Sequence, residues 1–546
     1  MIRRQTNYIS MKFLIIFQGI FYFLFTNLAS ATNTGTPYPT VDVTVTPSTQ
    51  ILAPANPKIT GTNFEWFDNM VSGSAHSLIP ANLLTLQGIA PSVIRYPGGT
   101  SSDGYNWNDG VGSTRNTEFR YPMSYQSQVN FGTNEFVQLT NQLGADALIT
   151  ANIFGPYAPS QVTANLANIQ TFNVNWLNQI KAAGGKAKYW EIGNEPYLTT
   201  ACYAGIANCY NPSSSTYVTL ANNLIPALKQ ADPSILIGVP LRSPQMNSLP
   251  VTVDPNYLST VLSGVPASSY DFAALHFYMP GPISVVNNDT YYSLMGGSAT
   301  VAYELQKLRN EFAAKGIASK PFAITEYNSF FTTDGTFDNM IQSWASSLFI
   351  SDLLGVMAQQ PDILFANYWS SIGDWYFGSA DENTGAIRNA GTILGKFKSV
   401  MVGNVYQVTA TGPTFNSKSL NYIAAQTNLP VVSSLVTIDG TSNSGKVWLV
   451  NRHLTNPMKV KVHFNSLIQS GVANTLTSSG VWDTGQTLQW ASATPVIYNQ
   501  DFYVTLPAHS VGYVSVVFQS AVARREEKFA SAIAQFTPID ATPELL

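Results

Sequence analysis

The stretch Ala187-Lys188-Tyr189-Trp190-Glu191-Ile192-Gly193-Asn194-Glu195-Pro196 reads as a short strand with a glutamate, Glu195, at its exit. Seven other runs share its texture: Ile59–Phe67, Ser92–Gly98, Ala145–Phe154, Ile235–Leu241, Phe272–Met279, Pro321–Tyr327 and Ile363–Trp369. Each is short, rich in Val, Ile, Leu, Ala and Phe, and shows little polar alternation, as expected of strands covered on both faces. Between them lie stretches with apolar residues at three- and four-residue spacing, among them Asn134–Leu143, Thr216–Gln230, Ala299–Ala314 and Met340–Ala358. Eight strand–helix units between residue 59 and residue 402 predict an α/β chain built on a (β/α)₈ TIM barrel with insertions. A doubly wound open sheet is the alternative, but it announces itself by a Gly-rich phosphate turn after the first strand, and none follows Phe67.

Beyond residue 403 the texture changes. Asn421–Gln426, Val431–Asp439, Lys446–Asn451, Lys459–Phe464, Asp501–Leu506 and Gly512–Phe518 are short, β-branched and separated by Gly, Ser, Asn and Thr turns. They predict a C-terminal antiparallel β-sandwich over residues 403–520. Val41–Ile51 has the same Val/Thr alternation, so the segment 32–58 is expected to lend that sandwich a strand before the chain enters the barrel. Residues 521–546 read as a loosely attached tail.

The chain has 546 residues, of which 45% are hydrophobic and only 11% charged, against roughly 25% charged in ordinary soluble domains. Net charge is −4 and no Lys/Arg cluster interleaves with aromatics, so a nucleic-acid partner is not expected. Arg3, Arg4 and Lys12 precede the apolar run Phe13–Phe25, followed by Ala29-Ser30-Ala31. A run this short predicts a signal peptide over residues 1–31, hence a secreted protein, extracellular or periplasmic, without a membrane span after cleavage; an uncleaved anchor is the alternative. Cys202 and Cys209, the only cysteines, suit a small loop disulfide in an oxidising compartment, with two thiols as the other reading.

Barrel enzymes carry their reactive groups at the C-terminal strand ends. Strand four exits at Glu195, and strand seven exits at Glu326 in Ile324-Thr325-Glu326-Tyr327-Asn328. Strands four and seven face one another across a barrel mouth, so two glutamates at these exits are expected to meet there. That is the arrangement for cleaving a glycosidic bond: one carboxyl protonates the leaving oxygen and the other, ionised, attacks the anomeric carbon, with about 5–5.5 Å between them if configuration is retained. Glu191, deeper on the same strand face as Glu195, reads as a buried structural carboxylate, and His276 as a packed core histidine. Arg95 faces the site from strand two. Trp369 and Trp375 suit stacking on a sugar or packing in the core, and Asn152 suits either a substrate or a loop backbone.

Gly193-Asn194-Glu195-Pro196 after a barrel strand resembles clan A glycoside hydrolases, in which the Asn binds the sugar 2-hydroxyl and the Glu is the acid/base. Arg95-Tyr96-Pro97-Gly98-Gly99 with Asp103-Gly104-Tyr105-Asn106-Trp107 and Asp109-Gly110-Val111-Gly112 resembles the strand-two exit of glycoside hydrolase family 51, the α-L-arabinofuranosidases. The resemblance covers most of residues 59–518. It implies catalytic Glu195 and Glu326, with Asn194, Arg95, Tyr278, Glu65, Trp107, Asn152 and Trp369 around the substrate. It further implies a poly- or oligosaccharide substrate and neither a metal nor an organic cofactor. Glu326 is expected to be held ionised by Arg95 and Tyr278, and its field to raise the pKa of Glu195. A β-glucuronidase or heparanase-like enzyme or a β-xylosidase of the same clan is the neighbouring alternative. A secreted carbohydrate-binding protein without activity is the alternative of another class.

Overall fold

A computed structural model describes residues 40–520, apart from 73–74, 120–125, 156, 158–160, 199–211, 244–252, 282, 284, 319, 331–337, 374–375, 382 and 486. The expected signal segment, the tail, Cys202, Cys209 and Trp375 lie outside the described residues.

Eight parallel strands close into a barrel: Gly61–Asn63, Val93–Tyr96, Asp146–Thr150, Tyr189–Glu191, Leu236–Pro240, Phe272–Pro280, Phe322–Phe330 and Ile363–Tyr368. Each of the eight predicted runs coincides with one of them, strands six and seven running on beyond the predicted ends to Pro280 and Phe330. The first strand is shorter than its apolar run, because Pro57–Thr60 winds into a 3₁₀ turn before Gly61. Gly61 is needed there, since a Cβ would stand 2.7 Å from the Val93 carbonyl oxygen and 2.8 Å from that of Ala366. Thr133–Leu143, Ser214–Ala231, Gly297–Ala314 and Trp344–Ala358 form the helices read from the sequence, the last preceded by a separate 3₁₀ turn, Asp338–Gln342.

Side chains alternate between barrel interior and exterior along each strand. Val93, Leu148, Tyr189, Phe272, Ala274, Ala323 and Phe365 form an apolar plug that is buried throughout. Two residues further along, the same inward rows carry Arg95, Thr150, Glu191, His276, Thr325 and Asn367, all buried. The barrel is thus dry below and polar at its mouth.

The second domain is one continuous ten-stranded sheet. Its order is Ala491–Ala493, Ile468–Thr477, Ser510–Phe518, Ser444–Asn451, Val432–Asp439, Asn404–Thr411, Val43–Leu52, Met458–His463, Asp501–Leu506 and Val496–Tyr498. The sheet folds over on itself, so that Gly471 abuts the Phe502 ring and Gly512 abuts Leu506. A separate Val-rich core lies between the layers. Val43–Leu52 joins it as expected, antiparallel to Asn404–Thr411 and parallel to Met458–His463. Asn421–Gln426 is not a strand. It is a tight turn with Asn421 at φ 47°, in which Leu420 and Ile423 bond each other's backbone.

The two domains share core. The indole N–H of Trp448 in the sheet donates to Ser351 O in the helix Trp344–Ala358 at 3.0 Å, and Trp344 donates to His509 O at 2.6 Å. Between them Arg452 Nη1 pairs with Asp352 Oδ2 at 2.9 Å, both side chains nearly inaccessible, and Ser298 also donates to that carboxylate. Arg452→Met leaves a carboxylate buried without its cation, which typically costs about 3–5 kcal/mol. A lowered thermal midpoint is expected, and an unchanged one would show that the seam does not hold the domains.

Candidate active site

Strict alternation would point Thr325 into the barrel and Glu326 away from it. The strands prevent this by a bulge: Leu275 pairs with Ile324 but His276 pairs with Glu326, so Thr325 is the extra residue. Both consecutive side chains then reach the interior. Thr325 donates to Glu191 Oε1 at 2.8 Å, and Glu326 Oε1 accepts from Arg95 Nη1 at 2.7 Å.

Arg95 is fully buried and its guanidinium reaches around the mouth. Nε donates to Glu191 Oε2 at 2.6 Å, Nη1 also to Asn63 Oδ1 at 3.1 Å, and Nη2 to Asn194 Oδ1 at 2.8 Å. Glu191 is therefore the structural carboxylate read from the sequence. The phenol of Tyr278 donates to the other oxygen of Glu326 at 2.5 Å.

Glu195 sits on a turn rather than on the strand itself. Gly193 has φ 81° and Glu195 φ 44°, a left-handed conformation rare outside glycine. Asp103, buried in the loop after strand two, holds the turn by accepting the Asn194 backbone N–H at 2.8 Å. The Glu195 side chain keeps 18% of its surface exposed, against 6% for Glu326, as suits a group that must reach a leaving oxygen. Its Oε1 accepts from Tyr197 at 3.0 Å and lies 2.9 Å from His276 Nδ1, which is 3.5 Å from Glu326 Oε2. One atom of each of Glu195, His276 and Glu326 lies within 4.8 Å of the others. A borderline divalent cation could find three ligands here, but it would occupy both carboxylates.

His276 is thus not a packing residue but a third titratable group between the glutamates, and this alters the expected division of protons. Burial alone would lower the imidazole pKa; the charges of Glu326 and Glu195 override it and raise it. Burial pushes Glu195 up, but the hydrogen bond and charge of His276, with help from Tyr197 and Arg95, bring it below the usual carboxylate range. Burial lifts Glu326 against the pull of His276, Arg95 and Tyr278. The shifts of the two carboxyls are therefore opposite to those expected. Moving a proton from Nδ1 to Oε1 leaves the net charge of the Glu195–His276 pair unchanged, so the pair holds one dissociable proton in common.

Of the other predicted residues, Glu65 and Trp369 border the mouth. Ser101 donates to Glu65 Oε1 at 3.1 Å, and a Cβ on Gly99, at φ 70°, would lie 3.2 Å from that oxygen and 2.5 Å from the Trp369 ring. Asn194 uses its carbonyl on Arg95, and its amide N–H₂ has no bond among the described residues. Asn152 is not a sugar ligand. It is fully buried, donating to Tyr105 O at 2.8 Å and accepting from Phe154 N at 2.9 Å and Gly155 N at 2.7 Å, so its groups are consumed by the loop. Trp107 is turned to the helix Leu166–Ala182, its N–H on Phe172 O at 3.2 Å and its ring against Phe172, rather than to the carboxylates. Tyr197, one residue beyond the Gly193–Pro196 motif, was not singled out, and Asp103, the first residue of a quoted motif, was given no role of its own.

The raised imidazole places the loss of the shared proton above the ordinary histidine range, so the alkaline limb of activity should lie there. Without the imidazole only Glu195 remains to hold that proton, so His276→Gln should move the limb to lower pH. Profiles of kcat/KM against pH check this, and coincident limbs would remove His276 from the proton balance.

A family profile described as the Alpha-L-arabinofuranosidase 1 domain matches residues 85–240, which contain Arg95, Asp103, Asn194 and Glu195. Similar curated proteins include a probable alpha-L-arabinofuranosidase C of Aspergillus niger, 27% identical over 27% of this chain and 28% of its own length. Another is an intracellular exo-alpha-(1->5)-L-arabinofuranosidase of Bacillus subtilis, 38% identical over 11% of this chain and 13% of its own. The matched part thus spans less than a third of these relatives. Among solved structures, a family 51 alpha-L-arabinofuranosidase from Bifidobacterium longum superposes with a TM-score of 0.70 at 15% identity, over 88% of this chain and 100% of the other. One from Thermotoga petrophila gives 0.68 at 17%, over 87% and 100%. Residues 85–240 therefore match the Alpha-L-arabinofuranosidase 1 domain, and the chain as a whole shares the fold of these family 51 arabinofuranosidase structures.

Proposed function

We propose that this protein is an exported, retaining glycoside hydrolase that removes α-L-arabinofuranosyl residues from the non-reducing ends of polysaccharides or oligosaccharides. The observation that carries the reaction is that one carboxylate oxygen of Glu195 and one of Glu326 lie within 4.8 Å, with His276 between them. That proximity favours the roughly 5–5.5 Å carboxyl spacing of direct attack by a carboxylate over the roughly 6.5–9.5 Å of an inverting pair. Glu326, aimed by Arg95 and Tyr278, attacks the anomeric carbon. Glu195 gives the proton it shares with His276 to the departing oxygen, then takes one from the water that releases the sugar. The Asn194 amide, with its carbonyl taken by Arg95, holds the 2-hydroxyl in this reading. The choice of arabinofuranose rests on the domain match over residues 85–240 and on the relatives' activities. Export rests on the basic residues, apolar run and small-residue site at the N-terminus; N-terminal sequencing of the exported protein should begin at Thr32.

A panel of nitrophenyl glycosides tests the sugar, with the arabinofuranoside expected to be turned over fastest and the glucuronide and xyloside as competitors. Glu326→Ala should abolish turnover of every substrate. Glu195→Ala should lose about 10²–10⁴-fold on natural substrates, yet still form the glycosyl-enzyme with a dinitrophenyl glycoside, whose leaving group departs without a proton. Azide should speed breakdown of that intermediate. The azide product of Glu195→Ala should keep the substrate's configuration and any azide product of Glu326→Ala should be inverted; the opposite pairing of variant and configuration would exchange the two roles.

A further inference from the structure

The residues after Glu195 fold back beneath it. Leu198 N donates to Glu195 O at 3.0 Å, closing a turn that returns the Tyr197 phenol to Glu195 Oε1 at 3.0 Å. The phenol is held there through its ring. Tyr197 is buried and meets the Tyr257 ring edge to face, with centroids 5.7 Å apart. Tyr257 opens the helix Tyr257–Gly264, and its own hydroxyl is tied to Pro240 O at the end of strand five, at 3.0 Å. The backbone is fastened as well. Asp254 N donates to Tyr197 O at 2.9 Å, Leu198 and Val253 form an antiparallel bridge, and buried Arg242 holds the Asp254 and Pro255 carbonyls at 3.1 and 3.4 Å. The segments that follow strands four and five thus clamp one hydroxyl against one carboxylate oxygen.

That oxygen is also the one His276 Nδ1 meets, at 2.9 Å. The two partners act differently on the shared proton. The imidazole can hold it, whereas a phenol can only donate to a carboxylate oxygen; burial, and then the charge of Glu195, keep Tyr197 from ionising. A donor fixed on Oε1 favours the ionised carboxyl and so leaves the proton toward His276. It also stops the carboxyl from swinging, and proton transfer to a leaving oxygen demands hydrogen-bond reach. The other charged or titratable groups facing the pair are Arg95 on strand two, Asp103 in the loop after it, Glu191 on strand four and Glu326 on strand seven. All of them stay in place when only the hydroxyl of residue 197 is removed.

We propose that Tyr197 is a positioning residue for the acid/base: its clamped phenol sets the direction of the Glu195 carboxyl and keeps the shared proton toward His276 until the leaving oxygen takes it. The proposal rests on the hydrolase reading above. At cleavage the proton passes to the leaving oxygen and the phenol remains on an ionised Glu195, to which the attacking water returns a proton. The test compares two glycosides of the sugar that the panel selects: the methyl glycoside, whose leaving group needs a proton, and the dinitrophenyl glycoside, whose leaving group does not. For Tyr197→Phe, which keeps the ring on Tyr257, the ratio of kcat/KM, methyl over dinitrophenyl, should fall about tenfold, a part of the roughly 10²–10⁴-fold that the whole proton transfer contributes. Both rates scale with the same folded fraction, so any loss of folded protein cancels in the ratio. Removing the donor also makes the pair hold its proton more tightly. The alkaline limb of kcat/KM on the methyl glycoside should therefore move up by about one pH unit, opposite to the shift expected of His276→Gln. A Tyr197 that merely packs would leave the ratio and the limb as in the native protein, and either one unchanged overturns the proposal. Inactivity of the native protein on the whole panel would instead overturn the hydrolase reading.

Discussion

The site depends on one buried cation. Arg95 is closed off from water, and a guanidinium in such a place is tolerable only when its donors are met. Acceptors converge on it from strand one (Asn63), the strand-four region (Glu191 and Asn194) and strand seven (Glu326). The same bonds orient the acceptors in return. The apolar plug beneath keeps the local dielectric low, which strengthens each of these contacts and makes any unmet one costly. The geometry of the site and the stability of the barrel mouth are here the same set of bonds.

Around that cation, the two carboxyls proposed to act on the substrate are presented by two departures from regular strand. Strand seven carries a bulge at Thr325 that turns Glu326 inward, and strand four gives way to a left-handed turn that lifts Glu195 above the mouth. Neither departure is local in origin. The bulge is held by Thr325 on Glu191 and Glu326 on Arg95, and the turn is held by Asp103 from a different loop. Backbone irregularity of this kind persists because the surroundings over-determine it.

The barrel was legible because strands buried on both faces appear as unbroken apolar runs, and the strand exits then named Glu195, Glu326 and Arg95. What stayed hidden followed from direction and partnership. His276 reads as core by composition, and only its 2.9 Å distance to Glu195 Oε1 shows that the two side chains are hydrogen-bonded. Asn152 stands at the correct strand exit but bends back to its own loop. In the second domain, Asn404–Thr411 is a strand whose polar, alternating surface resembles a turn region, and it was missed. Asn421–Gln426 showed the reverse: its Tyr-Ile-Ala-Ala run suggested a strand, but Ile423 packs inward from a turn that Asn421 opens at positive φ.

Val43–Leu52 lies in the interior of a sheet whose other strands all come from beyond residue 403. In chain order, then, the barrel is an insertion within the second domain, not a predecessor to it. During synthesis that first strand must wait, its edges unpaired, until the entire barrel and the C-terminal strands have left the ribosome. Closing so long a loop is an entropic cost that a finished barrel reduces by bringing the two ends together. No single cut between the domains separates them cleanly: a C-terminal fragment lacks an interior strand, and its sheet is left with two exposed edges where Val43–Leu52 belonged.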